Sequence, residues 1–154
     1  MKSARILCYN NRKKKQAGEI LKIQESAENY LETILILKKR NGTVRSIDIA
    51  NELEYSKPSV SIAMKNLREN GYIEMESDGS ITLLEKGLEI AERMYERHTL
   101  LSDWLMRLGV QPKTAAEDAC RMEHVISTES FEAIKHHASR EAAAAESKED
   151  SHEN

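Results

Sequence analysis

Between Val44 and Leu83 three local patterns follow one another so closely that few folds can hold all of them. The first, VRSIDIANEL, offers Ser46 as an N-cap and spaces Ile47, Ile49, Ala50 and Leu53 for about two turns of helix. The second, YSKPSVSIAMKNLRENG, has Ser56 as N-cap and Pro58 in the first turn, where its missing N–H is not needed, and it closes on Gly71 at C′. Its Val60, Ala63, Met64 and Leu67 share one face at spacings of three and four, so that face is core. The third, YIEMESDGSITLL, alternates apolar and polar residues on either side of Asp78-Gly79, a two-residue hairpin turn. Two helices joined by a tight turn and followed directly by a hairpin predict a winged helix-turn-helix.

The outer face of the second helix shows Lys57, Ser59, Ser61, Ile62, Lys65 and Asn66. Hydroxyls and ammonium groups donate to phosphates or approach base edges, and a helix N-terminus favours an anion. Ser56, Lys57, Pro58, Ser59, Ser61 and Lys65 are therefore the candidate DNA-binding residues, with Pro58 setting the helix entry. A merely solvated helix face would show the same pattern. Residues 25–83 carry seven basic and ten acidic side chains, which makes a weak non-specific DNA binder, because phosphate neutralisation supplies most of that affinity. Dimerisation, or charge neutralisation by a ligand, would strengthen it.

Helices flank this unit. SAENYLETILILKKRNG places Tyr30, Leu31, Ile34, Leu35 and Leu37 in a helical stripe, with Ser26 as N-cap and Asn41-Gly42 as the stop. After the hairpin, TLLE reads as a capping box from Thr82 to Glu85, opening a long helix to Gly109. Ile90, Met94, Leu101, Trp104 and Leu105 give that helix more apolar surface than one wing covers, so it leads into a second helical layer. That layer is TAAEDACRMEHVIS, with a box at Thr114 to Glu117, followed by TESFEAIKHH. It is too small a core to stand alone, which predicts a symmetric homodimer and a palindromic operator in double-stranded DNA.

The fold class is mainly α, a winged helix-turn-helix DNA-binding domain over 24–84 and, over 85–138, a helical dimerisation domain whose Cys120, Glu123 and His124 also make it a candidate metal-binding domain. Residues 1–23 form a basic, flexible arm, read as a solvated tail or an upstream start in preference to a DNA-contacting arm, and 139–154 a polar tail expected to fray or be disordered. With 40% hydrophobic and 32% charged residues, most of the chain can bury a core. No apolar run approaches bilayer length, and the N-terminus has no long apolar stretch behind its charges, which points to a cytoplasmic protein without a membrane partner. Cys8 and Cys120 lie far apart in unlike contexts, so a disulfide framework is not expected.

The stretch DACRMEHVIS puts Cys120, Glu123 and His124 at i, i+3 and i+4, on one helical face, offering thiolate, carboxylate and imidazole together. Such mixed soft and hard donors suit a divalent transition metal better than calcium or magnesium. A buried small cysteine beside a surface ion pair would give the same spacing. A nucleophilic Cys120 with His124 as base has neither an oxyanion site nor a third orienting group in the sequence, which argues against an enzyme.

SAENYLETI, YSKPSVSIAMKNLRENGYI, ERHTLL and EDACRMEHVIS, in this order and spacing, resemble the diphtheria toxin repressor family, which includes the iron-dependent regulators and the manganese transport regulator. The resemblance covers about residues 24–138. It implies a winged-helix homodimer that binds Fe(II) or Mn(II) and then represses metal-uptake genes from palindromic operators. The implied metal ligands are Asn29, Glu32, His98, Cys120, Glu123 and His124. Asn29 departs from the pattern, standing where iron-type members have methionine and manganese-type members aspartate, and it offers only an amide oxygen. Cys120 matches the iron type and Glu32 the manganese type, and the thiolate tilts the reading towards Fe(II).

The second metal site of iron-type members is not expected, since Ser102 and Ala116 replace two of its ligands. The chain also resembles the two-domain members, without an SH3-like third domain. The alternative reading is a metal-independent winged-helix regulator that uses Cys120 as a redox switch.

Overall fold

The computed structural model describes the backbone of residues 19–149 and the side chains of residues 25–141. Most of the basic arm, residues 1–18, and residues 150–154 of the tail lie outside the described residues.

Helix α1 spans Glu19–Asn41. It begins upstream of Ser26, which is an interior residue and not a cap, because EILKIQE ahead of it contains good helix formers and no breaker. Lys38, Lys39 and Arg40 fill its last turn, where positive charge complements the helix dipole. Gly42, at φ 79°, then returns its N–H to the Lys38 carbonyl at 2.9 Å. Helix α2 covers Ser46–Leu53 with Arg45 as N-cap. Asp48 accepts from the Arg45 N–H at 2.8 Å, so a carboxylate at the third position replaces the expected Ser46 cap.

Helix α3, Lys57–Glu69, opens as expected on Ser56, whose hydroxyl accepts from the Ser59 N–H at 3.3 Å. It closes before Gly71, at φ 74°. Strands β1, Ile73–Met75, and β2, Ile81–Leu83, pair antiparallel with Ile73 opposite Leu83 and Met75 opposite Ile81. Their connection is one residue longer than Asp78-Gly79 predicts. The Glu76 N–H reaches the Ser80 carbonyl and the Gly79 N–H the Glu76 carbonyl, both at 2.9 Å, leaving Ser77, Asp78 and Gly79 as the loop. Asp78 accepts from the Ser80 N–H at 2.9 Å, which stabilises this wider turn. The Ile81 N–H also donates to the Val44 carbonyl at 2.8 Å, so the segment before α2 adds a bridge to the wing.

Helix α4 runs over Glu85–Arg107 with Leu84 as N-cap. Thr82 does not cap it, because that residue is paired with Glu74 inside the sheet. Helix α5, Pro112–Met122, likewise starts before its expected Thr114 cap: Pro112 takes the first position, where its fixed φ suits a helix start. Helix α6 spans Thr128–Glu149. Residues 139–149, expected to fray, continue this helix, and their alanines and glutamates are strong helix formers.

Two apolar clusters result. Leu31, Ile34, Val44, Ile49, Val60, Met64, Ile73, Ile81 and Ala91 join α1, α2, α3 and the wing to the first half of α4. Leu101, Ala119 and Phe131, with Trp104, Met122, Ile126 and Ile134 against them, join its second half to α5 and α6. The predicted winged helix and helical layer are both present, with α4 common to them. Among the described residues no helix is long and apolar enough to cross a membrane.

One contact between α4 and the wing leaves no space. A Cβ at Gly87 would lie 2.1 Å from the Tyr72 carbonyl oxygen, and that carbonyl is held by the Leu84 N–H at 3.0 Å. Backbone on both sides prevents easy relief. Gly87→Ala is expected to destabilise the chain by about 1–3 kcal/mol, the usual penalty of overpacking, read as a lower urea midpoint at an unchanged slope.

Candidate functional site

Between the two apolar clusters α1, α4 and the turn after α5 bring ionisable side chains together. Glu32 lies on the α1 face that carries Leu31 and Leu35, and His98 lies between Met94 and Leu101 on α4. Glu123 is the C-cap of α5. All three are buried, and one donor atom from each lies within 4.8 Å of the others. His98 Nδ1 and a Glu123 carboxylate oxygen share a hydrogen bond of 2.8 Å.

Beside this trio stands His124, whose side chain is wholly buried. Its Nδ1 meets Glu28 at 2.8 Å, its Nε2 lies 3.1 Å from the Asn29 amide oxygen, and Glu123 is 3.4 Å away. Burial opposes charge on this imidazole, but the Glu28 hydrogen bond and the charges of Glu123, Glu28 and Glu25 outweigh it and hold its pKa above the ordinary histidine range. Arg93 approaches the other Glu28 oxygen at 3.5 Å.

The expected ligands therefore divide. Glu32, His98 and Glu123 come together; His124 and Asn29 pair with each other alongside, reached through Glu123. Cys120, half-buried in the last turn of α5, stands outside the trio. Glu123 and His124 lie just beyond α5, which ends at Met122, in the turn that follows it.

Two buried carboxylates and an imidazole from α1, α4 and the turn after α5 fit a divalent cation well. Like charges crowded out of water disfavour one another, and a cation balances them. The donors are those that bind Mn(II) and Fe(II).

Two participants carry no sequence signal of their own. Glu28 precedes Asn29 and reads as one more helix-surface acid, yet it fixes the ring of His124. Arg97 precedes His98 and donates to the carbonyls of Glu123 at 3.0 Å and Ile126 at 3.2 Å, with its guanidinium 5.4 Å over the Phe131 ring. It satisfies carbonyls left open at the end of α5 and so holds the turn carrying Glu123 and His124. In metal proteins such outer partners typically set affinity by ten- to hundredfold. Glu28→Gln and Arg97→Ala should each weaken Mn(II) binding by about that factor, with helix content by circular dichroism unchanged.

On α3 the candidate DNA-binding residues Lys57, Pro58, Ser59, Ser61 and Lys65 are all exposed, as is Ser56 ahead of them. The Ser56 and Ser59 hydroxyls also bond each other at 2.7 Å, and Lys65 lies 3.8 Å from Glu69. His136 and His137 are both exposed on α6, and His137 lies 3.8 Å from Glu141.

Comparison with known proteins gives matches over both halves of the chain. Residues 22–81 match the iron dependent repressor, N-terminal DNA binding domain, and residues 84–142 the iron dependent repressor, metal binding and dimerisation domain. Over 115 residues the chain is 36% identical to an HTH-type transcriptional regulator of Methanocaldococcus jannaschii, covering 73% of this chain and 92% of that protein. It is 35% identical over 112 residues to the transcriptional regulator MntR of Escherichia coli, covering 73% and 72%. Among solved structures it is similar to the manganese regulator SloR, with a TM-score of 0.65 and 26% identity over 73% of this chain. It spans about half the length of that structure, 53%.

Proposed function

The chain belongs to the iron-dependent repressor family, and from that premise we propose that it is a metal-dependent repressor of metal-uptake genes, a homodimer that binds a palindromic DNA operator when Mn(II) or Fe(II) is present. A regulator of this kind works in the cytoplasm, on DNA and without a chemical step. The observation that carries the reading is the buried trio of Glu32, His98 and Glu123, drawn from three separate segments.

In this reading Glu32, His98 and Glu123 hold the cation, His124 and Asn29 complete or support the site, and Cys120 is peripheral. The bound cation supplies the positive charge that lets the buried carboxylates remain close. Glu32 then ties α1, and with it the winged helix, to His98 on α4 and to the turn held by Arg97. This fixes the angle at which α3 of each protomer meets DNA. Coupling of this kind is reciprocal, so operator DNA tightens metal binding as much as metal tightens operator binding. With the thiolate peripheral, Mn(II) and Fe(II) meet the same donors, and the usual affinity order makes Fe(II) the tighter of the two. The family match favours this account over a redox switch at Cys120.

Anaerobic calorimetric titration of reduced, metal-stripped protein tests the assignment. The parent chain should bind both ions, His98→Ala and Glu123→Ala should lose binding by more than about a hundredfold, and Cys120→Ala should keep most of it. Loss in Cys120→Ala with retention in His98→Ala would move the site to the DACRMEH turn alone.

A further inference from the structure

Helix α3 buries Val60, Met64 and Leu67. Its outward crest, opposite that face, carries Pro58, Ile62, Lys65 and Glu69, all exposed. Ile62 does not belong there on folding grounds. It is 63% exposed, it is β-branched and so a poorer helix former than the lysines around it, and its surface is left in water. It edges the cleft between α1, α3 and α4 but gains little cover from it.

The neighbouring groups are suited to a different task. Ser56 and Ser59 bond each other, and Lys57 and Lys65 are point charges, so where these groups meet phosphates they set the position of the helix. Such contacts carry little sequence information. An isoleucine at the crest can do what they do not: in the major groove the one apolar mark on a base pair is the C5 methyl of thymine.

Resting on the repressor reading above, we propose that Ile62 is a specificity-determining residue that packs on a thymine methyl in each half of the operator. Its branched side chain excludes water from that methyl, and it leaves the donors and acceptors of a cytosine or guanine at the same step without partners. The position therefore favours thymine both by contact and by the penalty on the alternatives.

The test uses the full chain loaded with Mn(II). An operator is first selected by the parent protein from random duplexes. Each thymine of the half-site is then replaced by deoxyuridine, which pairs identically with adenine and lacks only the methyl. Affinities of the parent and of Ile62→Ala are measured by fluorescence anisotropy at one salt concentration. One position should cost the parent about fourfold per half-site, the worth of one buried methyl-sized group, and should cost Ile62→Ala nothing. Metal binding and dimerisation of Ile62→Ala should be unchanged.

No methyl-sensitive thymine, or equal sensitivity in parent and Ile62→Ala, would overturn the inference while leaving the repressor reading intact. A parent protein that binds Mn(II) yet selects no duplex would remove the repressor reading, and this inference with it.

Discussion

The burial of Glu123 is the constraint around which the rest is arranged. A carboxylate with 0% exposure is strongly unfavourable unless charge and hydrogen bonds reach it, and removing one partner of such a group commonly costs several kcal/mol. Here His98 reaches it from α4 at 2.8 Å and His124 at 3.4 Å, while Arg97 holds its backbone carbonyl at 3.0 Å. Glu28 and Asn29 of α1 then fix His124. Satisfying this one residue therefore brings α1, α4 and the α5–α6 turn into a single arrangement, and a change in its charge balance is felt in all three.

That arrangement matters because α4 serves both apolar clusters. Ala91 packs with the winged helix, Leu101 packs with α5 and α6, and His98 lies between them. Neither half has a helix of its own to replace it. The polar seam thus lies where the two halves meet, and in the proposed reading a cation held there would act on DNA geometry without touching DNA. On the DNA side, charge is in short supply, since residues 25–83 are net acidic. Geometry and base contacts then have to supply much of what phosphate contacts give in a basic domain.

Local signals were readable in the sequence, and long-range ones were not. The helix-turn-helix and hairpin follow from periodicity and from Ser56, Pro58 and Gly71, whose roles are decided by their neighbours in the chain. Boundaries failed where another interaction took the residue: Thr82 pairs in the sheet, Pro112 starts α5 ahead of Thr114, and Asp48 caps α2 in place of Ser46. At the site, residue types and spacing pointed to Glu123 and His124, but a resemblance was needed to connect them to Glu32 and His98. Glu28 and Arg97 carry no local signal because an acid and a base on a helix bear no mark of the hydrogen-bond partner 96 and 26 residues away. Cys120 shows the converse, a conspicuous residue of the motif that is not among the three buried side chains brought together.

If Glu32, His98 and Glu123 form one cation site that fastens the winged helix to the dimerisation layer, metal should tighten all three segments together. Amide hydrogen exchange with and without saturating Mn(II) tests it most directly. The account predicts that protection rises together around residues 28–35 of α1, around 94–101 of α4 and in the 122–128 turn, and that Glu32→Gln abolishes the rise in α1. Protection confined to the 119–128 region, with α1 indifferent to metal, would contradict it.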